Sequence, residues 1–204
     1  MKIVIPTCKP KESIQTQVDE IRSYSPDVEI ITTCTNGSAS QNRNIALSKV
    51  NLGEIVIMLD DDITGFFPYW AERLIRPLEL KDVVIVSARL MRPDGRLGIM
   101  SGDNYDMSQD YVDCFVFPKR VPTACIAFVN EGITFDESFI GSGYEDDDFC
   151  RQLSLKYPSG RFIINNTVKL IHLNEQKNQG GEFWKRNKAY YLSEWTDETN
   201  RWGG

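Results

Sequence analysis

The chain begins with short runs of apolar residues. The segments between these runs have apolar residues at a spacing that would place them on one side of a helix. The first run, Lys2 to Ile5, has strand length and is broken by Pro6. Behind it, apolar residues recur every three or four positions from Ile14 to Ile21, which is the spacing of one helix face. The pattern therefore predicts a strand, a turn and an amphipathic helix.

The succession of predicted strands and helices continues as far as residue 91. The pattern predicts a strand at Val28 to Thr32, a helix at Gln41 to Val50, and strands at Glu54 to Leu59 and Asp82 to Met91. The run ending at Leu59 is almost continuously apolar, which is typical of a strand buried on both faces. Strands separated by helices at this spacing form βαβ units, so we expect an open α/β sheet with ligands at the carboxyl ends of its strands.

The second half of the chain is less regular. The segment Arg92 to Val121 is rich in proline, glycine and aspartate, which favours a long functional excursion over a linker. After it, the pattern predicts a strand at Thr123 to Val129, a helix at about Glu145 to Tyr157, two short strands at Arg161 to Ile164 and Thr167 to His172, and a helical stretch near Glu182 to Trp195.

Composition and charge exclude several classes of protein. The 204 residues are 41% hydrophobic and 25% charged, which are globular proportions, and the net charge of −6 disfavours a dedicated nucleic-acid binder. No apolar run approaches the ~20 residues of a membrane span, and the first residues do not resemble a signal peptide. The five cysteines are widely spaced without a Cys-x-x-Cys pair. We expect a cytoplasmic protein with reduced thiols and no membrane span.

The first candidate for chemistry is the acidic run Asp60 to Asp62, directly after a predicted strand. Three neighbouring carboxylates repel one another unless a cation neutralises them, so the run is typical of a metal site. An exposed acidic turn explains it about equally well. An EF-hand does not fit, because its twelfth position falls on Ala71, where a glutamate is required.

The second candidate is an acidic helix start preceded by Gly141 and Gly143. Glu145 and Asp146 open this predicted helix, where the helix dipole favours acidic residues without any function. The glycines, however, let the backbone approach a ligand closely. Two carboxylate clusters in one small domain favour a functional site.

The third candidate is His172, the single histidine, at the end of a predicted strand. A lone histidine is more often structural than a ligand. Beside Asp62, however, an imidazole would complete a site suited to a divalent ion such as manganese.

Taken in order, these motifs resemble glycosyltransferase family 2, whose members have the GT-A fold. The resemblance runs from Ile3 to about Trp195 and rests on the opening strand, the Arg43-Asn44 pair, Leu59 to Asp62, Phe135 to Glu137, Gly143 to Asp146, and the late histidine. It implies a Rossmann-like, open, mostly parallel sheet flanked by helices, with a small additional sheet in the second half. It also implies one domain over residues 1–204, with a nucleotide-sugar-binding half (1–91) and an acceptor and catalytic half (92–204).

The resemblance also implies roles for individual residues. Asp62 and His172 would hold Mn²⁺ or Mg²⁺, Asp146 would be the general base, and Glu145 would be its acceptor-binding neighbour. The donor would contact Pro6, Thr7, Cys8, Thr33, Arg43, Asp60 and Asp61. The second strand ends in Thr32-Thr33-Cys34, where family members usually carry an aspartate, so the contact with the base would come from Thr7, Cys8, Thr33 or the backbone. For Arg43, a structural ion pair with Asp60 is an equal alternative.

The expected function is inverting, metal-dependent transfer of a sugar from a nucleoside diphosphate sugar, most readily a UDP-sugar, to an acceptor hydroxyl. The acceptor would be a glycan, a lipid-linked sugar or a small molecule, and the net charge disfavours a modified nucleobase. The acceptor is expected to contact the segment Met100 to Val121 and six aromatic residues, because aromatic rings stack on sugar rings. Burial in the hydrophobic core would account for these aromatic residues at least as well. These residues are Phe183, Trp184, Tyr190, Tyr191, Trp195 and Trp202.

Two other functions stay open at this point. A nucleotidyltransferase also clusters carboxylates around a metal, but it normally has a glycine-rich loop after its first strand, and Pro6 to Pro10 contains no glycine. A non-catalytic module would use the acidic clusters to bind calcium or sugar.

Overall fold

The computed structural model describes residues 1–98, 114–173 and 180–195. The strands are β1 (Lys2–Thr7), β2 (Glu29–Cys34), β3 (Ile55–Leu59), β4 (Ile63–Thr64), β5 (Val83–Met91), β6 (Phe115–Val116), β7 (Cys125–Val129) and β8 (Arg161–His172). The α-helices are α1 (Gln15–Tyr24), α2 (Ala39–Leu47), α3 (Trp70–Ile75), α4 (Glu145–Lys156) and α5 (Glu182–Glu194). Short 3₁₀ helices cover Lys11–Ile14 and Arg76–Glu79.

All eight strands belong to one sheet in the order β2-β1-β3-β7-β5-β8-β4, with β6 also paired to β8. β1 is parallel to β2 and β3, and β5 is parallel to β8, whereas β7 lies antiparallel between β3 and β5. This mixed, mostly parallel sheet confirms the predicted fold class. The additional sheet is not separate in the described part of the chain, because β4 and β6 both pair with the long strand β8.

Helices cover both faces of the sheet. On one face, α1 and α3 pack through Val18, Ile21 and Trp70 against alternate strand residues such as Ile57. The other face holds a second apolar cluster, in which α2 and α4 contribute residues such as Leu47, Phe149 and Leu153 and the strands contribute residues such as Met58. Because successive strand residues point to opposite faces, β3 is buried on both, as its apolar sequence predicts.

Helix α2 starts two residues earlier than the apolar pattern indicates. The side chain of Ser38 accepts a hydrogen bond from the amide of Gln41 at 3.3 Å, and the Gln41 side chain accepts one from the amide of Ser38 at 3.0 Å. This capping box satisfies two amides that a helix start leaves without partners. It also places Arg43 in the second turn of the helix, on the side that faces the sheet.

Two strands differ from their predictions. Pro6 does not end β1, which continues to Thr7 beside β2. The pairing of β1 with β3 stops at Val4, so the missing N–H of Pro6 removes no bond to β3. The two short strands predicted after Arg161 form one strand, β8, because an irregularity between Asn165 and Lys169 takes up the extra residues while pairing with β5 resumes beyond it.

Two of the expected surfaces lie partly outside the described residues. Residues 99–113 include most of the expected acceptor surface Met100 to Val121, and Trp202 falls in the range 196–204. In the part of the chain that is described, the longest helices are too short and too polar to cross a lipid bilayer.

Candidate active site

A cleft of about 620 Å³ lies at the carboxyl edge of the sheet. β1, β3 and β8 run in the same direction, so Thr7, the acidic run after Leu59, and His172 meet at this edge. Ten predicted site residues line the cleft, namely Pro6, Thr7, Cys8, Arg43, Asp60, Asp61, Asp62, Glu145, Asp146 and His172. Thr33 is not among the lining residues, and its side chain is buried in β2.

Arg43 connects the two acidic clusters. Its guanidinium lies 3.2 Å from Asp60 Oδ1, 2.9 Å from Glu145 Oε1 and 3.0 Å from Asp146 Oδ1. The side chain is only 6% exposed. The structure therefore contains the ion pair with Asp60 that was the alternative to donor binding, and it adds two carboxylates from α4 to that pair.

This crowding shifts the pKa values of the groups involved. Burial opposes the charge of Arg43, but Asp146, Asp60 and Glu145 outweigh burial and raise the pKa of the guanidinium. The pKa of Asp60 is raised, mainly by burial. The charge of Arg43 opposes this rise, and the charge of Asp146 adds to it. Burial and the charge of Asp146 raise the pKa of Glu145 to about 7, despite the opposing effect of Arg43. Three carboxylates contact a single positive group, the buried guanidinium of Arg43, so a further positive charge in the cleft would be stabilised.

Asp146 lies in the first turn of α4 and remains accessible. Its side chain is 33% exposed, whereas that of Glu145 is 5% exposed. The hydroxyl of Thr123 donates to Asp146 Oδ1, and the amide of Thr123 donates to Oδ2 at 3.3 Å. Arg43 and Thr123 thus hold the Asp146 carboxylate at the cleft wall. Tyr144, just before the helix, has a left-handed backbone with φ of 69°, which turns the chain sharply into α4.

Asp62 and His172 approach each other although 110 positions separate them in sequence (172 − 62). His172 Nε2 lies 3.2 Å from Asp62 Oδ1. Ligand atoms of Asp60, Asp62 and His172 all lie within 4.8 Å of one another. Two carboxylates and an imidazole form a donor set that suits Mn²⁺, and carboxylate oxygens suit Mg²⁺, so the residues present fit the metal that the sequence predicts.

Asp61 faces the loop after β1 instead. Its carboxylate accepts a hydrogen bond from the Thr7 hydroxyl and lies 2.6 Å from Lys9 Nζ. The amide of Lys9 in turn donates to the Thr7 hydroxyl oxygen at 2.8 Å. The middle aspartate of the run therefore orders the wall of the cleft that contains Pro6 to Lys9.

Sequence reasoning missed several residues that support the site. Thr123 holds Asp146, Lys9 pairs with Asp61, and the side-chain amide of Gln17 donates to the backbone carbonyl of Asp60 at 2.8 Å. None of these residues belongs to a recognisable motif, because each reaches its partner only through tertiary packing. Of these three residues, only Lys9 has a feature visible in the sequence, which is its position in the loop directly after the first strand.

Helix α5 completes the wall of the cleft near Asp146. Asn187 donates to the carbonyls of Ile140 at 2.9 Å and Gly143 at 3.0 Å, and accepts from the amide of Ile140 at 3.2 Å. Gly143, with φ of 109°, has no side chain to clash with Trp184, since a Cβ there would lie 2.9 Å from the Trp184 ring. Trp184 consequently lines the cleft.

The sequence from residue 3 to residue 142 matches the model of a family described as glycosyl transferase family 2. That range is more than half of the chain. The protein belongs to glycosyl transferase family 2. The match confirms the predicted resemblance and ends just before the acidic start of α4. Among curated proteins, a search by sequence finds no match.

Among the solved structures with the same fold are glycosyltransferases in complex with nucleotides and metals. GalNAc-T7 with UDP, GalNAc and Mn²⁺ aligns over 96% of this chain and 42% of its own, with a TM-score of 0.65 and 16% identity. The mannosyltransferase PcManGT from Pyrobaculum calidifontis, with GDP-Man and Mn²⁺, aligns over 94% and 61%, with a TM-score of 0.59 and 17% identity. This chain therefore spans less than two thirds of the length of either neighbour.

A third neighbour is closer in length. Glucosyl-3-phosphoglycerate synthase from Mycobacterium tuberculosis, with Mn²⁺, UDP and phosphoglyceric acid, aligns over 94% of this chain and 77% of its own. Its TM-score is 0.58 and its identity 14%. At such identities the neighbours establish the fold, and the GT-A architecture predicted from sequence is confirmed.

Proposed function

We propose that the protein transfers a sugar from a nucleoside diphosphate sugar to an acceptor hydroxyl, with inversion at the anomeric carbon and with Mn²⁺ or Mg²⁺ as cofactor. The observation that carries the proposal is the convergence of Asp60, Asp62 and His172 in the cleft that also contains Asp146. Membership of glycosyl transferase family 2 supports it, and so do the nucleotides and metals bound to the structural neighbours.

Asp60, Asp62 and His172 are the proposed metal ligands. The ion would neutralise the negative charge that develops on the diphosphate leaving group. The pKa of Asp60 is raised by burial, so the cleft contains carboxylate charge that a cation would stabilise. The remaining contacts of the donor would come from Pro6, Thr7, Cys8 and Asp61, on the wall that the Thr7–Asp61–Lys9 contacts order.

Two residues leave the proposed donor set. Thr33 does not line the cleft. The guanidinium of Arg43 is buried and already contacts three carboxylates, so we assign Arg43 to organising the site instead of binding the diphosphate. UDP is the proposed nucleotide, because two of the three neighbours described above carry it.

Asp146 is the proposed general base. Its carboxylate would accept the proton of the acceptor hydroxyl as the hydroxyl oxygen attacks the anomeric carbon from the side opposite the diphosphate. Arg43 and Thr123 orient the carboxylate, and the accessible third of the side chain leaves room for the acceptor. Trp184 and Glu145 both line this cleft, and the Trp184 ring is the proposed contact for a sugar ring of the acceptor. The proposed acceptor is a glycan, a lipid-linked sugar or a small molecule.

The proposal is tested by metal binding with and without UDP. Isothermal titration should give a weak affinity for Mn²⁺ alone and a much higher affinity after UDP is added, because the nucleotide supplies further oxygen ligands. The His172→Ala variant should lose this coupling. As a control, Asp27→Asn removes an exposed carboxylate before β2, at the opposite edge of the sheet, and should bind like the wild type.

Product analysis separates the proposed reaction from its rivals. With Mn²⁺ and a panel of UDP- and GDP-sugars, the wild type should release nucleoside diphosphate. Release of sugar 1-phosphate would indicate transfer of the nucleotidyl group from the same donors and would contradict the proposal. Equal Mn²⁺ affinity with and without UDP, together with no product, would favour the binding module.

A further inference from the structure

The segment that follows Asp62 is held against the end of β8. β4 consists of Ile63 and Thr64, and Ile63 lies opposite His172 in an antiparallel pair. The amide of Leu173 donates to the carbonyl of Asp62 at 3.0 Å. The position of β4 on β8 therefore sets the distance between the side chains of Asp62 and His172, which is 3.2 Å.

A single carboxylate on α1 holds the other side of β4. Glu20 Oε2 accepts a hydrogen bond from the Thr64 hydroxyl at 2.7 Å. Glu20 Oε1 accepts from the amides of Gly65 at 3.0 Å and Phe66 at 3.1 Å. Gly65 has φ of +84°, and the turn that it makes presents both amides to the same oxygen. Hydrogen bonds to a charged acceptor are the stronger kind.

The helix that carries Glu20 is itself fixed to the core. Val18 and Ile21 of α1 are buried in the apolar cluster on that face of the sheet, at 6% and 0% exposure. A strand of two residues has little stability of its own. The three bonds from Glu20 therefore connect β4 to a rigid helix, while β4 connects the helix to Asp62 and His172.

We infer that Glu20 is a positioning residue for the metal site, which keeps Asp62 and His172 in the arrangement that a divalent cation requires. The inference rests on the proposed function for the identity of the site. Glu20 does not line the cleft, and the hydrogen bonds described above join it to Thr64, Gly65 and Phe66, so it acts on the metal site through the backbone of residues 62–66. Outer residues that orient metal ligands typically change metal affinity by about 10–100-fold when they are removed.

The test compares three variants of the full chain. Glu20→Ala removes all three acceptor contacts, and Glu20→Gln keeps an oxygen for the Gly65 and Phe66 amides. Asp19→Ala removes an equal charge from the neighbouring position of α1, where the carboxylate accepts only from Gln15 among the bonds described. The affinity for Mn²⁺ is measured by titration in the presence of saturating UDP. We expect about a tenfold loss in Glu20→Ala and near-wild-type affinity in Glu20→Gln and Asp19→Ala.

A second readout follows His172 directly. It is the only histidine in the chain, so its imidazole proton resonance is assigned without ambiguity. Substoichiometric Mn²⁺ with UDP should broaden this resonance in the wild type and in Glu20→Gln, and markedly less in Glu20→Ala. Equal broadening and equal affinity in all variants would overturn the inference.

Two further measurements keep the outcome decisive. If Glu20→Ala does not fold, Thr64→Val is measured instead, because it removes one of the three donors to Glu20 and leaves α1 unchanged. A loss of Mn²⁺ affinity in Thr64→Val supports the inference, and an unchanged affinity refutes it. If the wild type binds no Mn²⁺ with UDP, the proposed function fails, and amide exchange still tests positioning. Faster exchange of the Leu173 amide in Glu20→Ala but not in Asp19→Ala supports it, and equal exchange refutes it.

Discussion

Arg43 places one buried positive charge among three carboxylates. Its partners Asp60, Glu145 and Asp146 are 17, 102 and 103 positions away in sequence. From the sequence alone, a donor contact and an ion pair with Asp60 were equal alternatives, because the distance to the start of α4 is set by tertiary structure. The buried guanidinium also explains how two acidic clusters remain side by side in one cleft.

The first prediction concerns the proposed base. Asp146→Asn should leave donor affinity nearly unchanged and lower turnover by at least about 10²-fold, because the amide cannot accept the acceptor proton. The asparagine oxygen still accepts from Thr123 and Arg43, so the fold should persist. Steady-state transfer rates and titration with the donor measure the two quantities.

The control for this prediction is Asp147→Asn. Asp147 is the next residue of α4 and pairs with Arg120 at 2.8 Å, and it is not among the residues that line the cleft. It should retain most of the activity. Near-normal transfer by Asp146→Asn would contradict the role of Asp146 as the base.

The second prediction concerns pH and Glu145. Its pKa rises from an ordinary value of 4.5 to about 7, first because of burial and then because of Asp146. The folded protein therefore binds this proton more tightly than the unfolded chain does. The resulting stabilisation is complete below about pH 4.5, declines as pH rises toward about 7, and is absent above that.

Urea unfolding at intervals from pH 4.5 to pH 8 tests this sign. In Glu145→Gln the contribution is absent, so the variant should gain stability relative to the wild type as pH rises through this window. Curves that run parallel for the two proteins would show that Glu145 titrates alike in the folded and unfolded states.

At the scale of elements, periodicity predicted the long helices and strands well. Helices α1, α2, α4 and α5 and the strands β1, β2, β3 and β5 lie within a few residues of their predictions. β4, β6 and α3 were missed, since elements of two to six residues are too short to show a period. The continuity of β8 was also hidden, because its irregularity interrupts the alternation that identifies a strand.

The third prediction tests how α5 is attached. Asn187 is 1% exposed and bridges the helix to Ile140 and Gly143. Asn187→Ala would remove three hydrogen bonds from those half-buried backbone groups, at a cost of about 1–3 kcal/mol in the free energy of unfolding. Arg186→Ala, at an exposed position of the same helix, should change little. Urea unfolding monitored by tryptophan fluorescence measures both, and equal values for the two variants would contradict this role.

At the scale of the whole molecule, the sheet brings the site together from distant parts of the chain. The resemblance to family 2 predicted that Asp62 and His172 would share an ion, and the structure places them in contact. The contacts of Thr123, Gln17 and Glu20 could not be predicted in this way, because they depend on how α1 and the segment before β7 pack on the sheet. Motif order therefore identified the residues facing the cleft better than those supporting it.

The fourth prediction is a global one. Binding of Mn²⁺ and UDP to the folded state alone should raise its stability by about 2.7 kcal/mol when the ligand is at a hundred times its Kd. For a chain of this size, each kcal/mol corresponds to roughly 2–4 °C in Tm. Thermal unfolding should show this rise in the wild type, whereas His172→Ala should respond to UDP alone and gain nothing from added Mn²⁺. An equal Mn²⁺-dependent rise in His172→Ala would contradict its role as a ligand.

The place of β7 in the sheet has a consequence for synthesis of the chain. β3 and β5 do not pair with each other, and β7 joins them through Val56–Phe128 on one side and Ile85–Phe128 on the other. While a ribosome is still translating residues before 129, the growing chain therefore carries two apolar strand edges without their native neighbour. Unpaired edges of this kind invite association with other chains. We expect nascent chains stalled before residue 129 to engage chaperones, and those released after β7 and β8 have emerged to escape them.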